Sequence, residues 1–326
     1  CPRNNHKCYF AGILYKTFLT RFSTIITCKG FTMNKYVLLS GTPLWKRVGV
    51  FLEAIKFEHS VFALPFAILA AFISAGGWPD LTDFIWVVVA MVSMRTFGMS
   101  ANRLIDAEID AHNPRTAMRA IPTGDISRFA MTCYMSLAAL IFVAAISQLH
   151  PVTWWLAPIP LGVLVGYPYL KRFTWLAHFG LGAVYLIVPP AVSLALTGTM
   201  PFGFVLIGLG SMVWVVGFDV LYATADFQVD RDQGLYSVPS KFGIPTALVI
   251  SKGLHLIAVL LLVIAGLVFG SHLLYFVGVA LVALLLSYEQ SLVSSDDLSK
   301  LNMAFFTMNG VIAIIFGIFV VIGELI

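Results

Sequence analysis

The chain has 326 residues, 59% of them hydrophobic and only 11% charged, and its mean hydropathy is +0.91. A soluble domain carries about 25% charged residues, so these proportions exclude an ordinary soluble protein and identify a polytopic protein of the lipid bilayer. The formal charge of +4 is too small to argue for a nucleic-acid partner, and Cys1, Cys8, Cys28 and Cys133 form no CxxC pair, so neither zinc nor a disulfide framework is expected.

Residues 1–32 contain no acid, while Arg3, Lys7, Lys16, Arg21 and Lys29 are scattered through them. Such a stretch reads as a mitochondrial transit segment or, more blandly, as an extension upstream of a start at Met33. Residues 1–44 are therefore set apart as an N-terminal extension, disordered or a non-native start, and 45–326 are taken as one membrane domain.

A bilayer-spanning helix needs roughly 20 mostly apolar residues. Nine stretches qualify, at about 53–75, 83–105, 127–148, 152–169, 174–197, 202–223, 246–269, 272–289 and 302–324. The expected fold class is all-α, a bundle of nine transmembrane helices. Pro65, Pro189 and Pro190 fall within spans, where neighbouring helices can satisfy the freed carbonyls. Cys133 is expected to be a small packing residue in its apolar helix. Basic residues stand before the first span (Lys46, Arg47) and in the loops after the second (Arg115, Arg119), fourth (Lys171, Arg172), sixth (Arg231, Lys241) and eighth (Lys300). The loops after the odd-numbered spans lack them. Under the positive-inside rule the even-numbered loops are cytoplasmic and the C-terminus lies outside.

Two of these cytoplasmic loops begin with acids. In RTFGMSANRLIDAEIDAHNPRTAMRAIPTG (95–124), Asn102, Asp106 and Asp110 stand at i, i+4 and i+8, which puts three oxygen-bearing side chains along one helix face. In GFDVLYATADFQVDRDQGLYSVPSKFG (217–243), Asp226 and Asp230 are four apart at another helix end. Arg95 precedes Asn102 by seven residues, and Asp219 precedes Asp226 by seven, with Tyr222 one turn from Asp219. The matched spacing hints at an internal duplication. Taken singly, each motif reads as a solvated helix end, with Arg95–Asp219 as one structural ion pair. Two matched motifs on one membrane side point instead to a divalent-metal site for an anionic substrate.

Carboxylates suit Mg²⁺, a hard cation often shared with substrate phosphates. No HxxxH or Cys/His cluster competes for a softer metal, and His112, His150, His178, His255 and His272 are given no role. Arg115 and Arg119, with Tyr167, Lys171 and Arg172 of YPYLKR, lie on the same side. Each alone is a topology signal; together they form the kind of Arg/Lys clamp that stabilises a departing diphosphate. GLYSVPSKFG (234–243) reads as a turn-rich loop or lid, and Glu58 and His59 either line an acceptor site or cap a helix end.

NRLIDAEID, NPRTAMRAIPTG, GYPYLKRFT, DVLYATADFQVDRDQGLYSVPSKFG and DDLSKLNMAFFTMNG together resemble the UbiA superfamily of intramembrane aromatic prenyltransferases, over about 45–324. The resemblance implies a nine-helix bundle with a central cavity open to the cytoplasmic side. It implies catalytic acids at Asp106, Asp110, Asp226 and Asp230, which with Asn102 would hold Mg²⁺. It implies substrate contacts at Arg115, Arg119, Tyr167, Lys171, Arg172, Asp219 and Tyr222. The partners would be a polyprenyl diphosphate and an aromatic acid acceptor, in a bacterial inner membrane or alternatively the mitochondrial inner membrane. Loss of diphosphate would leave an allylic cation for a phenolic ring to attack, in a cavity that excludes water. The chain departs from many members in having Asn102-Arg103 where they have Asn-Asp. Its FEHSVFALPFA start is similar to the subgroup linked to menaquinone synthesis by the futalosine route, so 4-hydroxybenzoate and 1,4-dihydroxy-6-naphthoate both remain as acceptors. Haem or chlorophyll prenylation is a further enzymatic alternative. The competing class is a cation-coupled transporter, since intramembrane acids also line ion paths.

Overall fold

The apolar stretches fold as helices, and among the described residues of the computed structural model, 44–57 and 62–326, there is no strand. Glu58, His59 and the N-terminal extension up to residue 43 lie outside the described residues. The helices are α1 (Leu44–Ala54), α2 (Leu64–Ala75), α3 (Leu81–Ile105), α4 (Ala107–His112), α5 (Arg128–Ile146), α6 (Val152–Leu156) and α7 (Pro158–Leu170). Then follow α8 (Ala177–Thr197), α9 (Phe202–Ala223), α10 (Phe227–Asp232), α11 (Val238–Phe242), α12 (Ile244–Phe269), α13 (Leu273–Ser291) and α14 (Asn309–Leu325).

Seven helices among the described residues are long and apolar enough to cross a membrane. The first and fourth expected spans are shorter, for local reasons. Lys56 has φ 51°, outside the helical region, and Pro65 opens α2, which has only 12 residues. In the fourth, Pro158 has no N–H to extend α6, and the 13-residue α7 starts there instead. Elsewhere the ends carry local signals. Asp80 accepts from the N–H groups of Thr82 and Asp83 at the start of α3, and Ser127 from Ala130 at the start of α5. Gly198 closes α8 in the left-handed conformation that a side chain would disfavour.

The sixth span is the axis of the bundle: 72% of its most apolar window is buried, against 28–44% for the other six. Its Ile207, Trp214 and Phe218 pack with Phe66 and Leu69 of α2 and Phe316 of α14 in the principal core. Cys133, expected to pack inside, is instead exposed on α5. The contact of α9 with α8 depends on a missing side chain. Pro190 has no N–H to donate to the carbonyl of Leu186, and at that point Gly208 lies so near that a Cβ would sit 2.4 Å from the Leu186 oxygen.

Arg103, the departure noted above, serves to join α1 to α3. Its buried guanidinium donates from Nε to the Ala54 carbonyl at 2.8 Å and from Nη1 to Asn102 Oδ1 at 3.1 Å. The cation therefore donates to a carbonyl at the C-terminal end of α1, where helix carbonyls turn to partners outside the helix.

Two stability predictions follow from these contacts. Gly208→Ala should destabilise the bundle by about 1–3 kcal/mol, because the clash is with backbone that cannot rotate away; an unchanged melting temperature in detergent would show that α8 and α9 have room to spare. Arg103→Met should cost about 1–3 kcal/mol through the orphaned Ala54 carbonyl, and urea titration of the two proteins side by side measures it.

Candidate active site

Both acidic motifs sit where a long helix is interrupted. α3 ends at Asp106, whose φ −91° and ψ 2° place it in the sparsely populated bridge region, and α4 starts at the next residue. α9 tightens into a single 3₁₀ turn, Thr224–Asp226, and Asp226 adopts φ −100° and ψ 5° before α10 begins. Of the face expected through Asn102, Asp106 and Asp110, the Asn102–Asp106 part holds, with the two side chains bonded at 3.0 Å, while the helix itself is not continuous through Asp106. The interruption directs the acids to partners in different loops.

Asp106, 3% exposed, accepts from Asn102 Nδ2 at 3.0 Å and pairs with Lys171 Nζ at 2.7 Å and Arg172 Nη1 at 3.4 Å. Arg172 also donates from Nη2 to the carbonyl of Ile105 at 2.8 Å, which pins the loop after α7 to the end of α3. Asp110, 4% exposed, receives Arg119 Nη1 on both carboxylate oxygens at 2.7 Å. Asp226 is gripped by Arg115 through Nε at 2.9 Å and through Nη2, while Asn113 Nδ2 donates to it at 2.9 Å. Arg115 Nη1 reaches the Tyr222 hydroxyl at 2.8 Å. Burial works to lower the Arg115 pKa, but hydrogen bonding to Asp226 and the Asp226 charge overcome it, and the net direction is upward. Arg115 therefore stays cationic at any physiological pH.

Asp230 has no ion pair among the described residues and accepts from Ser237 Oγ at 2.8 Å. Ser237 begins α11 with a reciprocal capping box to Ser240, so GLYSVPSKFG holds a short, well-capped helix within its turns. The backbone N–H of Tyr236 donates to the Lys171 carbonyl at 2.8 Å. The loops after α4, α7 and α10 thereby meet at one end of the bundle.

Beneath this charged end lies an apolar cavity of about 430 Å³ between α3, α5, α7, α8 and α9. Arg95 and Tyr167 line it, and Tyr167 is also close enough to Asp106 and Asp219 to feel their charges. Asp219 does not pair with Arg95. It accepts from His178 Nδ1 at 2.7 Å, while Arg95 Nη2 makes a long bond of 3.4 Å to the Lys56 carbonyl and its buried Nε has no hydrogen-bond partner among the described residues.

Reading from sequence missed three residues here. Asn113 is the most recoverable, because an Asn-Pro step ahead of an arginine is a turn signal, and its Oδ1 accepts from the Arg115 N–H at 2.9 Å. Ser237 carried only a weak signal within its turn-rich stretch. His178 carried none, being isolated in an apolar run.

The donor set fits a hard divalent cation. Four carboxylates and the Asn102 amide offer oxygen ligands only. Among the described residues no three His, Cys, Asp or Glu groups converge as a metal cluster. Asp106, Asp110 and Asp226 each hold a Lys or Arg instead, so metal binding requires an exchange of partners. An incoming diphosphate is chemically suited to take over the cations and release the acids.

The UbiA prenyltransferase family matches residues 63–311. The chain is 30% identical, over 242 residues, to the 4-hydroxybenzoate octaprenyltransferase of Shewanella pealeana, covering 74% of this chain and 84% of that one. A UbiA homolog from Aeropyrum pernix, solved in the apo state, superposes with a TM-score of 0.74 at 30% identity, over 81% of this chain and 98% of that one. A UbiA homolog from Archaeoglobus fulgidus, solved with GPP and Mg²⁺, shares the fold at 16% identity with a TM-score of 0.58, over 83% and 99% of the two chains. The match runs over most of the chain, from the start of α2 into α14, and the chain belongs to the UbiA prenyltransferase family.

Proposed function

We propose that the chain transfers a polyprenyl group from polyprenyl diphosphate to the ring of an aromatic hydroxy acid of the 4-hydroxybenzoate type. The observation that carries this reading is the stacking of two environments, a rim of paired acids and cations above an apolar cavity whose wall holds a lone arginine. The names of the relatives support the acceptor class. The bias of Lys and Arg to the even-numbered loops supports a site facing the cytoplasm, and the bacterial relatives support an inner-membrane location.

In the proposed reaction the isoprenoid chain lies in the cavity and its diphosphate at the rim. Arg115, Arg119, Lys171 and Arg172 exchange their carboxylate partners for diphosphate oxygens, which would free Asp106, Asp110 and Asp226 to hold Mg²⁺ together with Asn102 and Asp230. When bound, Mg²⁺ supplies positive charge that offsets the charge developing on the leaving diphosphate. The C–O bond breaks, an aromatic ring carbon attacks the allylic cation, and loss of the ring proton restores aromaticity. The apolar wall keeps water from the cation. Tyr167, in the cavity wall, and Asp219, two helical turns before Asp226, are assigned to the reacting carbon, and Tyr222 holds Arg115. Arg95 is assigned to the acceptor carboxylate, because an otherwise apolar cavity with a guanidinium in its wall calls for an anion.

The direct test supplies membranes containing the protein with Mg²⁺, polyprenyl diphosphates, 4-hydroxybenzoate and 1,4-dihydroxy-6-naphthoate, and detects product by mass spectrometry. Prenylated 4-hydroxybenzoate is expected, with loss of activity in excess chelator. Asp230→Asn should lower turnover at least about a hundredfold, the scale of removing one preorganised electrostatic contact. Solute uptake into proteoliposomes without any prenylated product would favour a transporter instead.

Arg95→Met should raise the KM for the aromatic acid roughly ten- to a hundredfold, the scale of a lost charge-assisted hydrogen bond. The KM for the prenyl diphosphate should hold constant in the same titration. If both constants move together, Arg95 does not bind the carboxylate.

A further inference from the structure

His178 is 5% exposed and makes two hydrogen bonds that leave its tautomer no choice. The backbone N–H of Val238 can only donate, so Nε2, at 3.2 Å, is the acceptor. In the neutral ring Nδ1 then carries the hydrogen and donates to Asp219 Oδ2 at 2.7 Å. Ser237, the neighbour of Val238, donates from Oγ to Asp230 at 2.8 Å. Asp219 and Asp230, both on the segment Phe202–Asp232, are thus tied to the same short turn, one through the imidazole and the other through a hydroxyl. That turn is anchored, since Val238 is 1% exposed and packs with Val216 and Val220 of α9 and Ala247 of α12, while Trp175 and Phe179 of the α8 entry press on the cluster.

We propose that His178 is a positioning residue, which locks the Asp219 carboxylate and the Ser237–Phe242 turn into one unit so that Asp219 is held in register with Asp230. The lock rests on the reading of the site given above, in which Asp219 faces the reacting carbon and Asp230 the diphosphate side. Its physical content is simple. A carboxylate at the end of a two-torsion side chain has several rotamers, and a donor held at both ends by a rigid ring selects one of them.

The experiment compares His178→Leu, His178→Gln, Asp219→Ala and the double variant His178→Leu/Asp219→Ala in nanodiscs, by prenyl transfer and by limited trypsin digestion at the exposed Arg231 and Lys241. Leucine fills the volume and makes neither bond. Glutamine supplies an amide oxygen for Val238 and an amide hydrogen for Asp219. His178→Leu should lower kcat roughly ten- to a hundredfold, the loss expected for a hydrogen bond to a charged group, with the KM for prenyl diphosphate unchanged. His178→Gln should recover most of that loss. The double variant should be no slower than Asp219→Ala alone, because a residue acting through another has no further effect once its partner is gone. Multiplying losses in the double variant, or a His178→Gln protein as slow as His178→Leu, overturns the proposal. If the wild-type protein transfers no prenyl group, the functional reading fails, and digestion still decides the lock. Faster cleavage in His178→Leu than in His178→Gln supports it, and equal cleavage in all the proteins overturns it.

Discussion

Charge pairing across loops is the constraint on which the charged end of this bundle depends. Asp106 and Asp110 are nearly sealed from solvent, and a buried carboxylate is costly unless it meets a cation. The cations come from elsewhere in the chain: Lys171 and Arg172 from the loop after α7, Arg119 and Arg115 from the loop after α4. Meeting the cost of burial therefore forces three loops together. Apolar clusters around Val238 and Ile126 hold the same loops from below, so that the rim is polar and the core beneath it apolar. The same pairing makes the rim responsive. A second source of negative charge can displace the carboxylates without any of the cations having to move far.

The two acidic motifs are related in backbone as well as in spacing. Asp106 and Asp226 share the bridge conformation within about ten degrees, each at the point where a long helix gives way to a six-residue one. A residue there ends the regular helix without needing glycine, and Asp106 still accepts from Asn102 one turn before it. This accounts for a site that a continuous helix could not build. On an unbroken helix the i, i+4 and i+8 oxygens would share one line and one set of partners. Here Asp106 and Asp110 take separate cations, and Asp226 and Asp230 divide between Arg115 and Ser237.

The helices, the rim and its charged members were legible from sequence because each has a local cause. Apolar runs of adequate length make spans, and acids or bases at fixed spacing beside them make a polar end. What escaped depended on contacts distant in the chain. His178 looks like any histidine in an apolar run until Val238, 60 positions on, supplies the N–H that fixes its ring. Arg103 reads as a substitution in a motif until the Ala54 carbonyl, 49 positions back, is seen to need a donor. The shortened first and fourth spans did carry warnings in Pro65 and Pro158, but hydropathy over a window of about 20 residues averages such breaks away.

The last helix shows how the apolar body and the polar rim are connected. Between Met303 and Met308 the chain widens into a π-helix, a form that is rare and needs a local reason. Asn309 supplies one: its Nδ2 donates to the carbonyls of Ala304 and Phe305 at 3.1 and 3.0 Å, and lies 3.3 Å from Glu289 Oε1 on α13. The amide thus adds a side-chain donor to two carbonyls of the wider turn inside the bundle. The turn so held carries Phe305 onto Tyr222, with ring centroids 3.9 Å apart and planes within 20°. Tyr222 in turn accepts from Arg115, whose guanidinium lies 4.9 Å from the centre of its ring. An aromatic pair is worth about 0.5–1.5 kcal/mol beyond the area it buries, enough to bias a side chain but not to freeze it. The segment DDLSKLNMAFFTMNG, far from either acidic motif in sequence, thereby sets the orientation of a cation that holds one of them.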